Sequence, residues 1–208
     1  VDELLTCAEF ALHKIKHDSP LLADIYRQQL AQDQNIQRLM LNQIDQAINQ
    51  RLFVPYFQPL VNPKTKHISG IEALARWQQE DGRILTPSEF LPLVFNHPSL
   101  TIRLETLMIR RVLALVNSII NKFGQQSANF KVSINLSALQ FERPELVDWL
   151  CHLCATYEIA PNNLELEVVE KVTVKDLDGV IDKLNALRRK GFSIALDDFG
   201  TGYSSLSH

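Results

Sequence analysis

The sequence predicts an α/β fold in which helices alternate with the strands of a largely parallel sheet. Three features support this prediction. From residue 130 onward, short apolar strands alternate with amphipathic helices. Residues 53–77 are rich in aromatic and branched side chains and predict a hairpin of two strands, whereas residues 3–52 have the apolar spacing of helices. Open doubly wound sheets and closed barrels both fit this alternation.

Two helices are predicted ahead of the sheet. Residues 3–17 place apolar side chains at helical spacing, and Ser19 and Pro20 separate them from a second helical stretch over 22–52. Gln and Asn fill the positions between the apolar residues of this second stretch. We therefore interpret residues 28–52 as a linker helix between domains.

The hairpin is followed by a clear helix start. Its strands are predicted over residues 53–60 and 67–77, on either side of an Asn-Pro turn. Thr86 can cap the next helix, Pro87 suits its first position, and Glu89 completes a capping box. This helix is predicted to run to about residue 96.

The remaining elements continue the alternation. The helix over residues 102–123 is apolar nearly all round, which predicts deep burial. Three strands follow, predicted over residues 130–135, 164–169 and 193–197. Two helices are predicted between them, over residues 144–157 and 174–190.

Composition limits the classes of function. The chain has 208 residues, 46% of them hydrophobic, and a net charge of -3. A chain of this composition can bury a sizeable core. Its slightly negative charge does not favour binding of a nucleic-acid polymer. It has no apolar run of the roughly 18–20 residues that a membrane span needs. Three cysteines and the lack of a secretory leader favour a reducing compartment, so we expect a cytoplasmic segment without membrane contact.

Polar side chains lie at or near the ends of the predicted strands. Carboxyl ends of parallel strands meet at one mouth of a barrel, where active sites are built. Carboxylate and amide oxygens suit Mg²⁺ or Mn²⁺ better than zinc, and paired divalent ions suit phosphodiester hydrolysis. Arg76 could hold a phosphate with its forked donors. The oxygen-bearing residues are Glu72, Asn135, Glu167, Glu170, Asp197 and Asp198.

Each of these residues also has a purely structural interpretation. A carboxylate at a strand end often caps the following helix, and an Asn there usually builds a turn. The joint pattern over three strands, together with the Asp-Asp pair, favours the metal site. Cys151 and Cys154 lie inside a predicted helix without a second cysteine pair, and we interpret them as structural residues rather than zinc ligands.

Five short blocks together resemble one known family. GIEALARW at 70–77 resembles the signature of the EAL family of cyclic di-GMP phosphodiesterases. The family's fold is a TIM-like barrel with one antiparallel strand, so the resemblance implies an incomplete (β/α) barrel of this type over residues 53–208, preceded by N-terminal helices. The other blocks, in the family's order, are YFQPLV at 56–61, INLS at 134–137, LELEVVE at 164–170 and LDDFGTGYSSL at 196–206.

The resemblance also implies a role for each matching residue. Arg76 matches a phosphate-binding Arg, Gln58 matches a substrate-contacting Gln, and Glu170 matches a Glu that steadies the loop after the Asp pair. Val169 stands where the family usually has Thr, which removes one possible contact to that loop. The matching ligands of two Mg²⁺ or Mn²⁺ ions are Glu72, Asn135, Glu167, Asp197 and Asp198.

The implied function is hydrolysis of cyclic di-GMP to the linear dinucleotide by a parent protein that is homodimeric. The family continues beyond this sequence with about three more strand–helix units that carry a Lys, a Glu and a Gln, so we expect the 208-residue chain to be inactive alone. The alternative is a non-catalytic EAL module that acts as a cyclic di-GMP receptor or scaffold. Residues 1–27 resemble the end of a GGDEF domain, which often precedes an EAL domain.

Overall fold

The computed structural model describes residues 20–123, 130–169 and 177–197. The predicted helix over 3–17 lies outside the described residues. The assignments of residues 1–27 as a GGDEF-like tail and of 28–52 as a linker stay predictions. The chain divides into two compact units, Val1–Asp45 and Gln46–His208. Helix α1 (Pro20–Asn49) is the described part of the first unit and its last residues begin the second.

The second unit contains six strands and five further helices among the described residues. The strands are β1 (Phe53–Val61), β2 (Ile68–Gln78), β3 (Ile84–Leu85), β4 (Lys131–Leu136), β5 (Leu164–Val169) and β6 (Ser193–Asp197). The helices are α2 (Pro87–Phe95), α3 (Pro98–Phe123), α4 (Ala138–Glu142), α5 (Leu146–Thr156) and α6 (Leu177–Arg189), and a 3₁₀ turn (Pro161–Asn163) precedes β5. The short elements β3 and α4 were not predicted from the sequence.

The sheet has the strand directions predicted for an EAL-type barrel. Its order is β1-β2-β4-β5-β6, with β3 paired to the end of β2. Strand β1 is antiparallel to β2, and β2, β4, β5 and β6 run parallel. Pro55 and Pro59 lie in β1, which within the described sheet pairs with β2 alone, and an edge strand tolerates residues that lack an N–H donor.

One face of the parallel strands is apolar and packs against the helices. In β4, Val132, Ile134 and Leu136 are buried whereas Asn135 is exposed, because side chains alternate between the two faces of a strand. Full burial of each such apolar side chain stabilises the fold by roughly 1.5–3 kcal/mol. The apolar face therefore fixes the register, and the opposite face is left to the polar residues.

The start of the parallel pairing requires a glycine. Gly70 of β2 lies opposite Lys131 of β4, and a Cβ at position 70 would come within 2.7 Å of the Lys131 carbonyl oxygen. A backbone oxygen cannot move aside without shifting the strand. Gly70 thus permits the close approach that aligns β2 with β4, two residues before Glu72.

Helix α3 is less buried than its composition predicts. Leu113 and Val116 are buried in the core, but Leu115 is 42% exposed, so only one face of the helix packs inward.

In α5, burial raises the pKa of the Cys154 thiol to about 11, as expected for a structural cysteine. None of the helices in the described part of the chain combines the length and hydropathy that a bilayer crossing requires.

Candidate functional site

Three predicted site residues follow one another across the face of the sheet opposite the helices. Glu72 of β2 pairs with Ser133 of β4, and Asn135 lies two residues further along β4. Asn135 in turn pairs directly with Glu167 of β5. Since a strand repeats every two residues, these offsets place Glu72, Asn135 and Glu167 on the same face of the sheet.

The next strand continues the row. Glu167 pairs with Ala195 of β6, two residues before Asp197, so the backbone of residue 197 lies in the same row near the carboxyl end of β6. Glu170 and Asp198 lie outside the described residues, and their predicted roles stay predictions. The register thus brings four of the predicted positions to one edge of the sheet.

Two of the predicted ligands are in direct contact. Asn135 Nδ2 donates a hydrogen bond to Glu72 Oε1 at 3.2 Å. The contact joins β2 to β4 at residues that are 63 positions apart in the chain. It brings a carboxylate and an amide together at the edge where the parallel strands end.

The two predicted substrate-contacting residues lie on the hairpin beside Glu72. Gln58 of β1 is the direct partner of Glu72 across the antiparallel pair. Arg76 lies four residues beyond Glu72, hence on the same strand face, and donates from Nη1 to the Ala75 carbonyl at 2.8 Å. Its guanidinium carbon is 5.7 Å from the centre of the Tyr56 ring. A guanidinium has five N–H donors, so these contacts leave capacity for a phosphate.

The described part of the predicted ligand set fits a hard cation. It consists of the carboxylates of Glu72 and Glu167 and the amide of Asn135, and such oxygen donors are the ligands of Mg²⁺ and Mn²⁺. Among the described residues, no three His, Cys, Asp or Glu side chains form a ready cluster. The predicted ligand set is not of that kind, because one of its members is the amide of Asn135. Two others are the aspartates at 197 and 198, whose side chains are not among those described.

A second polar row lies one layer below on the same face. Ser133 donates to Glu165 Oε1 at 3.2 Å, and the Lys131 ammonium is 3.7 Å from Glu165 Oε2. Lys131 Nζ also donates to Ser193 Oγ at 2.9 Å. The carboxylate of Glu165 in this lower row thus lies beside the ammonium group of Lys131.

Sequence reasoning missed two polar residues beside the site. Glu105 of α3 accepts hydrogen bonds from the backbone N–H of Ser137 (3.0 Å, to Oε1) and from its hydroxyl (2.9 Å, to Oε2). Both residues line a cavity of about 370 Å³ that Glu72 and Asn135 also line. A lone carboxylate in a strongly apolar helix was the available signal for Glu105, and a serine before a short helix was the signal for Ser137.

The environment of Glu105 is mostly apolar. Helices α2 and α3 line the same cavity with side chains that include Leu91, Val94, Leu104 and Met108. Loss of water raises the pKa of Glu105 to about 7, and the two hydrogen bonds from Ser137 oppose that rise.

Comparison with known proteins gives a consistent assignment. Residues 41–208 match the model of the EAL domain family. The chain is 36% identical over 162 residues to the probable cyclic di-GMP phosphodiesterase PdeG of Escherichia coli (strain K12), an alignment that covers 78% of this chain and 31% of PdeG. The chain thus spans about a quarter to a third of the length of the curated relatives it matches.

Solved structures show the same fold. The PaMucR phosphodiesterase in complex with c-di-GMP matches with a TM-score of 0.71 and 32% identity, over 80% of this chain and 66% of that one. The EAL enzyme Bd1971, in its form bound to cAMP and cyclic di-GMP, matches with a TM-score of 0.74 and 31% identity, over 94% of this chain and 56% of that one. Because the family model matches residues 41–208, which are most of its length, the chain belongs to the EAL domain family.

Proposed function

We propose that the protein containing this chain hydrolyses cyclic di-GMP to the linear dinucleotide with the help of two divalent ions, Mg²⁺ or Mn²⁺. The observation that carries the proposal is the row of oxygen-bearing side chains at one sheet edge, where Asn135 contacts Glu72 and pairs with Glu167. The relative PdeG is named a probable cyclic di-GMP phosphodiesterase, and the PaMucR structure holds c-di-GMP, which supports this substrate.

The residues of the row would hold the ions, and the hairpin would hold the substrate. Glu72, Asn135 and Glu167 supply oxygen donors, together with Asp197 and Asp198. Two divalent ions at such a site stabilise the charge of the phosphate and lower the pKa of water.

Arg76 and Gln58 lie beside Glu72 on the hairpin, where they orient the dinucleotide. The guanidinium of Arg76 pairs with a phosphate through charge-assisted hydrogen bonds, and Gln58 contacts the substrate opposite Glu72. Hydrolysis forms one bond from water oxygen to phosphorus and breaks one ester bond, whose oxygen leaves with a proton. Glu170 would steady the loop that follows the aspartates. As in the sequence-based expectation, the active form would be a cytoplasmic homodimer.

The test is hydrolysis of cyclic di-GMP by the full-length protein with Mg²⁺ or Mn²⁺ in excess. We expect turnover in the wild type and its loss in Glu72→Gln and Asn135→Ala. Glu80→Gln is the matched control, because Glu80 is an exposed carboxylate just beyond β2, away from the row. Equal turnover in Glu72→Gln and the control would contradict the proposal.

A second measurement separates the enzyme from a receptor. Equilibrium binding of cyclic di-GMP to the full-length wild type, without turnover under any metal condition, would assign a non-catalytic receptor. Turnover by the 208-residue chain alone would show that its own residues suffice for the reaction.

A further inference from the structure

The carboxylate of Glu105 holds a residue next to the candidate site. Both of its oxygens accept hydrogen bonds from Ser137, at 3.0 and 2.9 Å, although the two residues are 32 positions apart. Glu105 belongs to the outer helix α3, and Ser137 belongs to the turn between β4 and α4. The pair, which we call the Glu105–Ser137 clamp, ties that turn to the helix layer.

The clamp lies where an apolar residue would be the simpler choice. Glu105 shares its cavity mainly with apolar side chains, and placing a carboxylate there removes it from water at a cost. An apolar side chain of similar size would fill the same space without that cost. Conflicts of this kind between local environment and residue type are expected near functional sites.

The clamp connects to the site through a short stretch of backbone. Ser137 follows Asn135 by two residues, and its hydroxyl oxygen also accepts from the Gln140 N–H (3.2 Å), which caps α4. Asn135 then donates to Glu72. Hydrogen bonds thus join Glu105 to Ser137, which lies two residues after the Asn135 that contacts Glu72.

We propose that Glu105 is a positioning residue, which holds Ser137 and thereby places Asn135 for binding of a divalent ion at the strand-end row. The proposal rests on the proposed function in one respect: Asn135 and its neighbours must bind such an ion. In this proposal Glu105 acts through its two hydrogen bonds with Ser137.

The test compares the same substitution at two similar sites. Glu105→Met removes both acceptors and keeps the size of the side chain. Glu89→Met is the matched control, because Glu89 also accepts from the N–H and the hydroxyl of a helix-capping residue, Thr86, but on the exposed start of α2. Each variant is made in the full-length protein, and Mn²⁺ affinity is measured by isothermal titration calorimetry beside the melting temperature.

We expect Glu105→Met to weaken Mn²⁺ binding about 10–100-fold, the usual range for a residue that orients a ligand. Glu89→Met should keep the Mn²⁺ affinity of the wild type, because Glu89 contacts Thr86 and not a residue beside the row. Glu105→Gln should restore most of the affinity, because its amide oxygen can still accept from the Ser137 N–H. The loss in Glu105→Met should occur without a lower melting temperature, which separates positioning from stability.

Unchanged Mn²⁺ affinity in a folded Glu105→Met protein would overturn this proposal alone. If that variant fails to fold, Ser137→Ala, which removes one of the two hydrogen bonds, must still weaken Mn²⁺ binding several-fold, and an unchanged affinity would be equally decisive. A wild type that neither binds Mn²⁺ nor hydrolyses cyclic di-GMP would overturn the proposed function, and this proposal with it.

Discussion

Two glutamates of this protein accept hydrogen bonds from the same two kinds of donor in opposite surroundings. Glu89 accepts from the N–H and hydroxyl of Thr86, three residues earlier, at the exposed start of α2. Glu105 accepts from the N–H and hydroxyl of Ser137, 32 residues later, inside a largely apolar cavity. We call the first pair the α2 capping box; the second is the Glu105–Ser137 clamp.

The surroundings decide the electrostatic outcome. The hydrogen bond from the Thr86 N–H, and then the bond from its hydroxyl, lower the pKa of the Glu89 carboxyl. At this exposed position the opposing loss of water is too small to outweigh them. For Glu105 the loss of water outweighs equivalent hydrogen bonds and raises the pKa to about 7. The α2 capping box therefore serves a local helix start, whereas the clamp maintains a costly long-range connection beside the candidate site.

The largest expected difference is in the pH dependence of stability. Burial raises the pKa of the Glu105 carboxyl to about 7 from its ordinary value of 4.5, so the folded state binds the proton more tightly. Its contribution to stability is full below pH 4.5 and is lost as pH rises through 7, by on the order of 3 kcal/mol. Urea unfolding of wild type and Glu105→Gln at a series of pH values measures this change. A difference between the two proteins that is constant with pH would contradict it.

Removal of the donor hydroxyl should have the next largest effect. Ser137→Ala deletes the bond to Glu105 and the cap of α4, leaving a partly buried carboxylate oxygen without its donor, and should cost about 1–3 kcal/mol. Thr86→Ala deletes an exposed hydroxyl and should cost about 1 kcal/mol or less. Urea unfolding at neutral pH measures both costs, and equal values would show that burial adds nothing to the clamp.

The smallest expected effect belongs to Glu89. Because its pKa is lowered in the folded state, its contribution to stability is present above the ordinary pKa of 4.5 and is lost as pH falls through the folded-state pKa. Glu89→Gln should therefore be slightly less stable than the wild type at neutral pH and equal to it in acid, the reverse of the trend for Glu105→Gln. The same urea series measures it, and a stability gap that widens in acid would be inconsistent with this sign.

The sequence predicted which residues form the polar row, but not the Glu105–Ser137 clamp beside it. Asn135 and Glu167 could be placed together because strand periodicity and parallel direction determine which residues share an edge. The capping box of Thr86 and Glu89 was also predicted, since its partners are three residues apart. The Glu105–Ser137 clamp could not be predicted, because its two residues are distant in sequence and a single Glu in an apolar helix does not reveal what it contacts. Helix α4 was missed since its five residues are too few for periodicity.

We infer that the upper row of the sheet face, with Glu72, Asn135 and Glu167, carries the function, and that the lower row, with Ser133 and Glu165, does not. Glu167 and Glu165 allow a direct test, because they lie on the same strand and face, one layer apart. Hydrolysis of cyclic di-GMP and Mn²⁺ affinity are measured in the full-length Glu167→Gln and Glu165→Gln proteins. We expect Glu167→Gln to lower both the turnover and the Mn²⁺ affinity by at least about 100-fold, and Glu165→Gln to keep both near the wild-type values. Equal losses in the two variants, or a loss in Glu165→Gln alone, would contradict it.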